Sequence, residues 1–338
     1  MQRQVFVCGT LFHVYVSILK AIEYKKEGEV ETLLVVNDHT PGINDLIIQL
    51  KERNYFTHIL YVPFIEITRN LEHKENVLKR AIHRNKLSIK YVEDGSSIKD
   101  YYDFIKSSEI NLFYNLGLVS SYFLMNFRSN YFRMLEDGYR NYHPRVNAFK
   151  AFKRKYILRT VIGEGRDNLI KSIEVQYPDR IPEVVRHKGK VLDFKMMIEI
   201  LTKKEKDDIV TTFLKGKRIE VESTKNLVLI TQPLSEDKIL SQEDKIKVYN
   251  NILEKYSQDY SIYIKTHPRE VTDYKSNINF DYTEIPRSFP LEFLDFMDNI
   301  NFDIGITIFS SALDNIKCVK KRVFLGKEYI KKKALRKY

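Results

Sequence analysis

The 338-residue chain has no tryptophan and only two cysteines, Cys8 and Cys318, far apart. That scarcity excludes a disulfide framework and a cysteine-based zinc site, since both need clustered cysteines. No stretch approaches the roughly 18 to 20 apolar residues needed to span a bilayer. At the N-terminus, Val5–Cys8 is too short for a signal-peptide core, and the polar Thr10 and His13 prevent its extension. A cytoplasmic protein is expected. Internal repeats and low-complexity segments are also missing, which excludes solenoid architectures.

What the chain does have is 43% hydrophobic and 30% charged residues, enough for a core and a solvated surface, and length for two domains. Fifty-six Lys and Arg against forty-five Asp and Glu leave a net charge of +11. Such an excess favours anionic partners: nucleotides, acidic lipids or nucleic acid. The charge is densest in Lys331, Lys332, Lys333, Arg336 and Lys337, with Leu335 and Tyr338 interleaved. This end reads either as a solvated tail or as a peripheral anchor to an anionic inner leaflet. Nucleic acid is not expected, because no recognition helix, RNP-like strand or zinc module is legible.

Short β-branched or aromatic runs alternate with amphipathic stretches. Val5–Cys8, Thr32–Val36, Ile59–Val62, Asn111–Tyr114 and Tyr131–Leu135 read as strands, and Phe12–Glu23 and Ser120–Phe127 as helices. A second series begins at Asn226, with strand Leu227–Thr231, helix Ser241–Tyr256, and strands Ser261–Lys265, Ile304–Phe309 and Arg322–Leu325. The basic middle contains helices around Lys190–Leu201 and Lys204–Leu214. Alternation of this kind implies parallel sheets. The expected division is an α/β domain over 1–150, a connecting helical region over 151–225, a second α/β domain over 226–325 and a basic tail over 326–338. Two Rossmann-like domains facing a central cleft constitute the GT-B architecture.

Ligands of open α/β sheets bind at the carboxyl ends of the strands, and polar clusters fall there. Glu136-Asp137-Gly138 follows the fifth strand, and the glycine suits a tight turn aiming one acid outward to take a proton from a hydroxyl. Glu93-Asp94-Gly95 has the same letters and reads as a surface turn. Gln232-Pro233-Leu234-Ser235-Glu236-Asp237 is a second acidic loop, although Ser241 with Asp244 also suggests plain helix capping. Lys265-Thr266-His267-Pro268-Arg269 holds a histidine at a strand end beside two cations, fit to meet a phosphate. Ser310 and Ser311 precede a helix expected at Ala312, where hydroxyls and N–H groups suit phosphate or an ordinary cap. Thr10 and His13 lie beyond the first strand. Tyr139, Tyr142 and Phe289 are candidates for stacking on sugars.

Glu136-Asp137-Gly138, Thr231–Asp237, Lys265–Arg269, Phe309–Ala312 and the opening Cys8–His13, in this order, resemble the bacterial sialyltransferases, most closely glycosyltransferase family fifty-two. The resemblance implies a GT-B fold, cytidine monophosphate–sialic acid (CMP-sialic acid) as donor, a glycan acceptor, inversion, and neither metal nor other cofactor. It implies that His267 meets the departing phosphate, that Ser310 and Ser311 bind it, and that Gln232, Pro233, Lys265 and Pro268 belong to the donor site. Asp237 is the favoured base, with Asp137 as the alternative or an acceptor-side group beside Thr10, His13, Glu136 and Gly138. The residues leave open the acceptor, the linkage, a homodimer, the same fold acting on another nucleotide sugar (glucosyl or another keto-sugar), and a non-catalytic basic module that binds membrane or nucleic acid through the C-terminal cluster.

Overall fold

Continuous apolar runs become strands covered on both faces, as parallel sheets require. In the computed structural model, which describes residues 2–39, 43–114, 117–214, 219–221, 225–267, 269–287, 289–297, 300–314 and 316–334, they build two units, Met1–Leu201 and Thr202–Tyr338.

The first unit contains β1 (Gln2–Cys8), β2 (Val30–Asn37), β3 (His58–Val62), β4 (Glu109–Leu112), β5 (Phe132–Leu135), β6 (Ile170–Val175) and β7 (Gly189–Val191). All pair in parallel, in the order β3-β2-β1-β4-β5-β6-β7. Val5, Val7, Leu33, Val35, Ile110 and Leu112 share one core with Tyr122 and Phe123 of the helix Leu118–Asn126. The helix Leu11–Glu27 packs on β1 and β2 and is buried along most of its length.

The second unit contains β8 (Asn226–Ile230), β9 (Ser261–Lys265), β10 (Thr283–Ile285), β11 (Phe302–Thr307) and β12 (Val319–Phe324), again parallel, in the order β10-β9-β8-β11-β12. Leu227, Leu229, Ile262, Ile264 and Ile306 pack with Val248, Tyr249 and Ile252 of the helix Gln242–Leu253. Ser241 caps that helix by accepting the Asp244 N–H, as its Ser-x-x-Asp spacing suggests.

Both units are Rossmann-like, and the α/β GT-B class expected from the sequence is the one found. In each the strand order reverses beside the first strand, between β1 and β4 and between β8 and β11. Those reversals are where such sheets open at their carboxyl edge.

Three expectations need correction. The domain boundary falls at Leu201, not at 150, because β6 and β7 extend the first sheet through what was read as a helical connection over 151–225. Within Lys190–Leu201, Gly189–Val191 is a strand and only Phe194–Glu199 is helical. Glu93-Asp94-Gly95 ends the helix Arg84–Gly95 rather than forming a free turn. No helix among the described residues is long and apolar enough to cross a membrane.

Candidate functional site

At the carboxyl edge of the first sheet, Thr10 ends the extended chain after β1 and accepts the His13 N–H at 3.2 Å, capping the helix that begins at Leu11. The cap presents the His13 imidazole back over the strand ends. Its Nδ1 accepts the Gly9 N–H at 3.1 Å, and its ring stacks on Phe113, just past β4, with centroids 4.3 Å apart and planes within 8°. With Nδ1 accepting, the neutral ring carries its proton on Nε2, and that atom lies 2.5 Å from Asp137 Oδ1.

Asp137 follows β5. Its own N–H donates to Asn141 Oδ1 at 2.7 Å, and Gly138 takes a φ of 85°, a left-handed turn that glycine makes without strain. Asp137 lines a pocket whose walls include Phe113, Tyr114, Arg140, Asn141 and Glu164. Arg140 lies over the Tyr114 ring, 4.9 Å from its centroid.

Glu136, one residue earlier, turns the other way. It is buried and accepts the Gln176 N–H at 2.7 Å and Gln176 Nε2 at 3.2 Å. Burial raises its pKa, and the Gln176 hydrogen bonds oppose that rise. Glu136 therefore ties the end of β5 to the end of β6 and is not an acceptor-side group. Tyr142 bonds the Tyr177 N–H through its hydroxyl at 3.3 Å, and the Tyr139 side chain lies outside the described residues.

In the second unit, the loop after β8 and the loop after β9 are fastened to one buried ionic cluster. Lys245, wholly buried on the helix Gln242–Leu253, lies 2.9 Å from Glu236 and 2.7 Å from Glu270, and donates to Thr272 Oγ1 at 2.8 Å. Glu270 also accepts from Thr231 Oγ1 at 2.5 Å, the His267 N–H at 2.7 Å and the Tyr274 hydroxyl at 2.7 Å. Burial alone would raise the Glu236 pKa, but hydrogen bonds from the Val271 N–H, Lys245 and Ser235 bring it down to about 2. Sequence reasoning missed Lys245, Glu270 and Tyr274, since a lysine within an amphipathic helix ordinarily reads as solvated.

His267 is half-buried. Its Nδ1 accepts the Arg269 N–H at 3.1 Å, which leaves Nε2 as the proton-bearing atom of the neutral ring. Burial, then the Arg269 charge, holds its pKa below the ordinary histidine value. Arg269 reaches across to Asp237 as a fork, Nη1 to Oδ1 at 2.9 Å and Nη2 to Oδ2 at 3.1 Å, and this pairing holds the Asp237 pKa down. Asp237 and His267 are thus brought together through Arg269. The favoured base, however, has both oxygens engaged and a weakened affinity for protons.

Lys265 also departs from expectation. Burial lowers its pKa to about 8, and its ammonium donates to the carbonyls of Thr266 at 2.9 Å and Arg287 at 3.1 Å. It props the end of β9 instead of projecting toward a phosphate. Gln232 donates its N–H to the Tyr249 hydroxyl at 2.8 Å and accepts the Phe309 N–H at 2.9 Å, spanning the reversal between β8 and β11. Pro233 is buried, and its carbonyl accepts the Asp237 N–H at 2.8 Å. Ser310 Oγ accepts the Ala312 N–H at 3.3 Å, but it leads into the single 3-10 turn Ser311–Asp314 rather than the expected helix. The Ser311 side chain and Pro268 lie outside the described residues. Phe289 is core, packed edge-on against Phe293 at 5.5 Å, and stacks on no sugar.

A family model, glycosyltransferase family 52, matches residues 64–327. An uncharacterized protein of Haemophilus influenzae is 34% identical over 148 residues, which are 42% of this chain and 46% of that one. The match therefore spans about half the length of that curated relative. Among solved structures, the S. aureus MnaA–UDP co-structure has a TM-score of 0.52 at 13% identity, over 99% of this chain and 87% of the other. A putative UDP-N-acetylglucosamine 2-epimerase from Listeria monocytogenes has a TM-score of 0.51 at 11% identity, over the same shares. At such identities the likeness is one of fold alone.

Proposed function

The chain belongs to glycosyltransferase family 52, and from that membership we propose that it transfers sialic acid from CMP-sialic acid to a galactose-ended glycan, with inversion and without a metal, in capsule or lipooligosaccharide synthesis. Asp137 takes the proton of the acceptor hydroxyl. The observation that carries this assignment is the His13–Asp137 pair at the edge of a pocket. One carboxylate oxygen is held by a neutral imidazole whose tautomer the Gly9 N–H dictates, and Asp137 is among the residues that line the pocket. Asp237, with both oxygens in the Arg269 fork, is the weaker candidate.

The proposed reaction needs a base and an acid. As the acceptor oxygen bonds to the anomeric carbon, its proton passes to Asp137, and the bond from that carbon to the phosphate oxygen breaks. The released cytidine monophosphate then needs its growing negative charge met. His267 supplies a donor at Nε2, and a phosphate bound there would raise the pKa of the imidazole it faces. Acid and base each contribute about 10²–10⁴-fold. The Ser310 hydroxyl, which accepts the Ala312 N–H and keeps its own O–H to donate, is the further phosphate donor. Gln232, Lys265 and the Lys245–Glu270 pair keep the loops in place without touching the reacting atoms.

The test is sialyl transfer from CMP-sialic acid to lactose in EDTA. Transfer by wild type and its collapse in both Asp137→Ala and His267→Ala is the expected result. Turnover of a different nucleotide sugar, with no release of cytidine monophosphate from CMP-sialic acid, overturns the donor. Activity that needs an added divalent cation overturns the metal-free chemistry.

A further inference from the structure

Residues 147–159 stand out from the first unit with an unusual surface. The helix Ala148–Phe152 and the π-helical turn Lys153–Ile157 expose Phe149 (74%), Phe152 (54%), Tyr156 (59%) and Ile157 (63%). Phe152 and Tyr156 pair with ring centroids 5.0 Å apart, and Phe149 precedes Phe152 by three residues on the same helix, the spacing of one helix face. Lys150, Lys153 and Lys155 are exposed beside them and have no ion-pair partner among the described residues, and between Asp137 and Glu164 the chain carries no carboxylate at all.

The base of this segment is firmly fastened. Glu164 accepts the N–H groups of Arg145 at 2.6 Å and Val146 at 3.0 Å, Asp167 accepts those of Ile162 at 2.8 Å and Gly163 at 2.9 Å, and Arg154 donates to the Ile162 carbonyl at 2.9 Å. The apolar side chains are therefore held in water by a built loop.

We propose that the 147–159 segment is a membrane-docking element that inserts its aromatic patch into an anionic bilayer surface. Aromatic and aliphatic side chains flanked by lysines are the composition of helices that lie in the headgroup region, where apolar insertion and attraction to acidic lipids add. Charge complementarity selects this occupant over a second copy of the chain. A two-fold contact through the patch would set Lys150, Lys153 and Lys155 against their own copies without an intervening carboxylate. This element is distinct from the basic C-terminal end, and it does not depend on which sugar the enzyme transfers. Glu164 fastens its base and also lines the Asp137 pocket, so docking brings that pocket to the lipid surface.

Flotation of the full chain with phosphatidylethanolamine vesicles containing phosphatidylglycerol, and with pure phosphatidylcholine vesicles, tests the proposal. Wild type should float with the first and not the second. Phe149→Ser/Phe152→Ser/Tyr156→Ser and, separately, Lys150→Glu/Lys153→Glu/Lys155→Glu should each weaken that binding by about tenfold or more, with unchanged melting curves because the altered side chains are exposed. Removal of residues 331–338 should leave the greater part of it. Vesicle binding that survives both triple variants and disappears with the truncation overturns the proposal. So does a dimer in sedimentation that either triple variant dissociates, or retention on single-stranded RNA with no vesicle binding.

Discussion

Asp137 Oδ1 lies 2.5 Å from His13 Nε2, although 124 residues separate the two in sequence. Four strands of the first sheet converge on the pair. β1 leads to Thr10 and the His13 helix, β4 supplies Phe113 under the imidazole, β5 delivers Asp137, and the end of β6 anchors Glu136 through Gln176. A carboxylate held in this way keeps one orientation, and orientation is what a base must offer a hydroxyl of fixed geometry.

Asp137→Asn is expected to lower kcat for transfer by about 10²–10⁴-fold. His13→Phe preserves the stack on Phe113 but removes the Nε2 donor, so it should lower kcat less and leave KM for the donor unchanged. Asp237→Asn breaks only an exposed fork, which is worth no more than about 1 kcal/mol of stability, and should spare kcat. Steady-state kinetics with donor and acceptor varied in turn measure all three. An Asp237→Asn enzyme more damaged than Asp137→Asn reverses the assignment.

For His267, burial and Arg269 place the free-enzyme pKa below the ordinary histidine value. In the proposed mechanism the acid form of His267 meets the phosphate, so activity is expected to fall as pH rises. The basic limb of kcat/KM, which reports free enzyme, should therefore lie below the ordinary value, while the limb of kcat, which reports the donor complex, lies higher. Arg269→Met removes a positive neighbour and frees Asp237, and both changes should move the kcat/KM limb upward. A limb that stays in place in this variant shows that another group titrates.

The β8, β9 and β11 strands were readable because sheets covered on both faces select unbroken apolar runs. β6 was not, since Lys171, Ser172 and Glu174 interrupt Ile170–Val175, and the three residues of β7 are too short for any period to show. The same contrast holds at the site. His267 and the acidic loops were legible because strand ends are predictable places for polar groups. What each group touches was not. Arg269 and Lys265 both looked like phosphate ligands beside a histidine, yet one forks onto a carboxylate 32 positions earlier and the other is drawn to backbone carbonyls. Partnership across such separations is a property of the folded chain, and linear spacing does not carry it.

Lys245→Met should be among the most destabilising single substitutions. It leaves Glu236 and the fully buried Glu270 without their shared cation, a change typically worth about 3–5 kcal/mol. Adding Glu270→Gln should recover part of the loss, because the second variant removes the stranded charge. Denaturant midpoints of the two singles and the double close the cycle. Strict additivity would mean that Lys245 and Glu270 are not coupled.

Lys265 makes stability depend on pH in a direction opposite to that of a salt-bridged lysine. Its folded pKa is about 8 against 10.5 for the free side chain, because burial penalises the ammonium. Below about 8 both folded and unfolded chains carry the proton, and the fold bears the full cost of the buried charge. Between about 8 and 10.5 the unfolded chain holds a proton that the folded chain has lost, so stability rises with pH; above 10.5 neither holds it and the gain is complete. The gap corresponds to about 3 kcal/mol. Other lysines and tyrosines titrate in the same range, so the quantity to follow is the difference between wild type and Lys265→Met. The methionine variant loses the hydrogen bonds to the Thr266 and Arg287 carbonyls, a fixed offset, but has no proton to lose. Wild type should therefore gain on the variant as pH rises through this window, read from denaturant unfolding curves at a series of pH values. A difference that stays flat means that the ammonium is solvated in the folded protein, and one that shrinks with pH means that a carboxylate pairs with it.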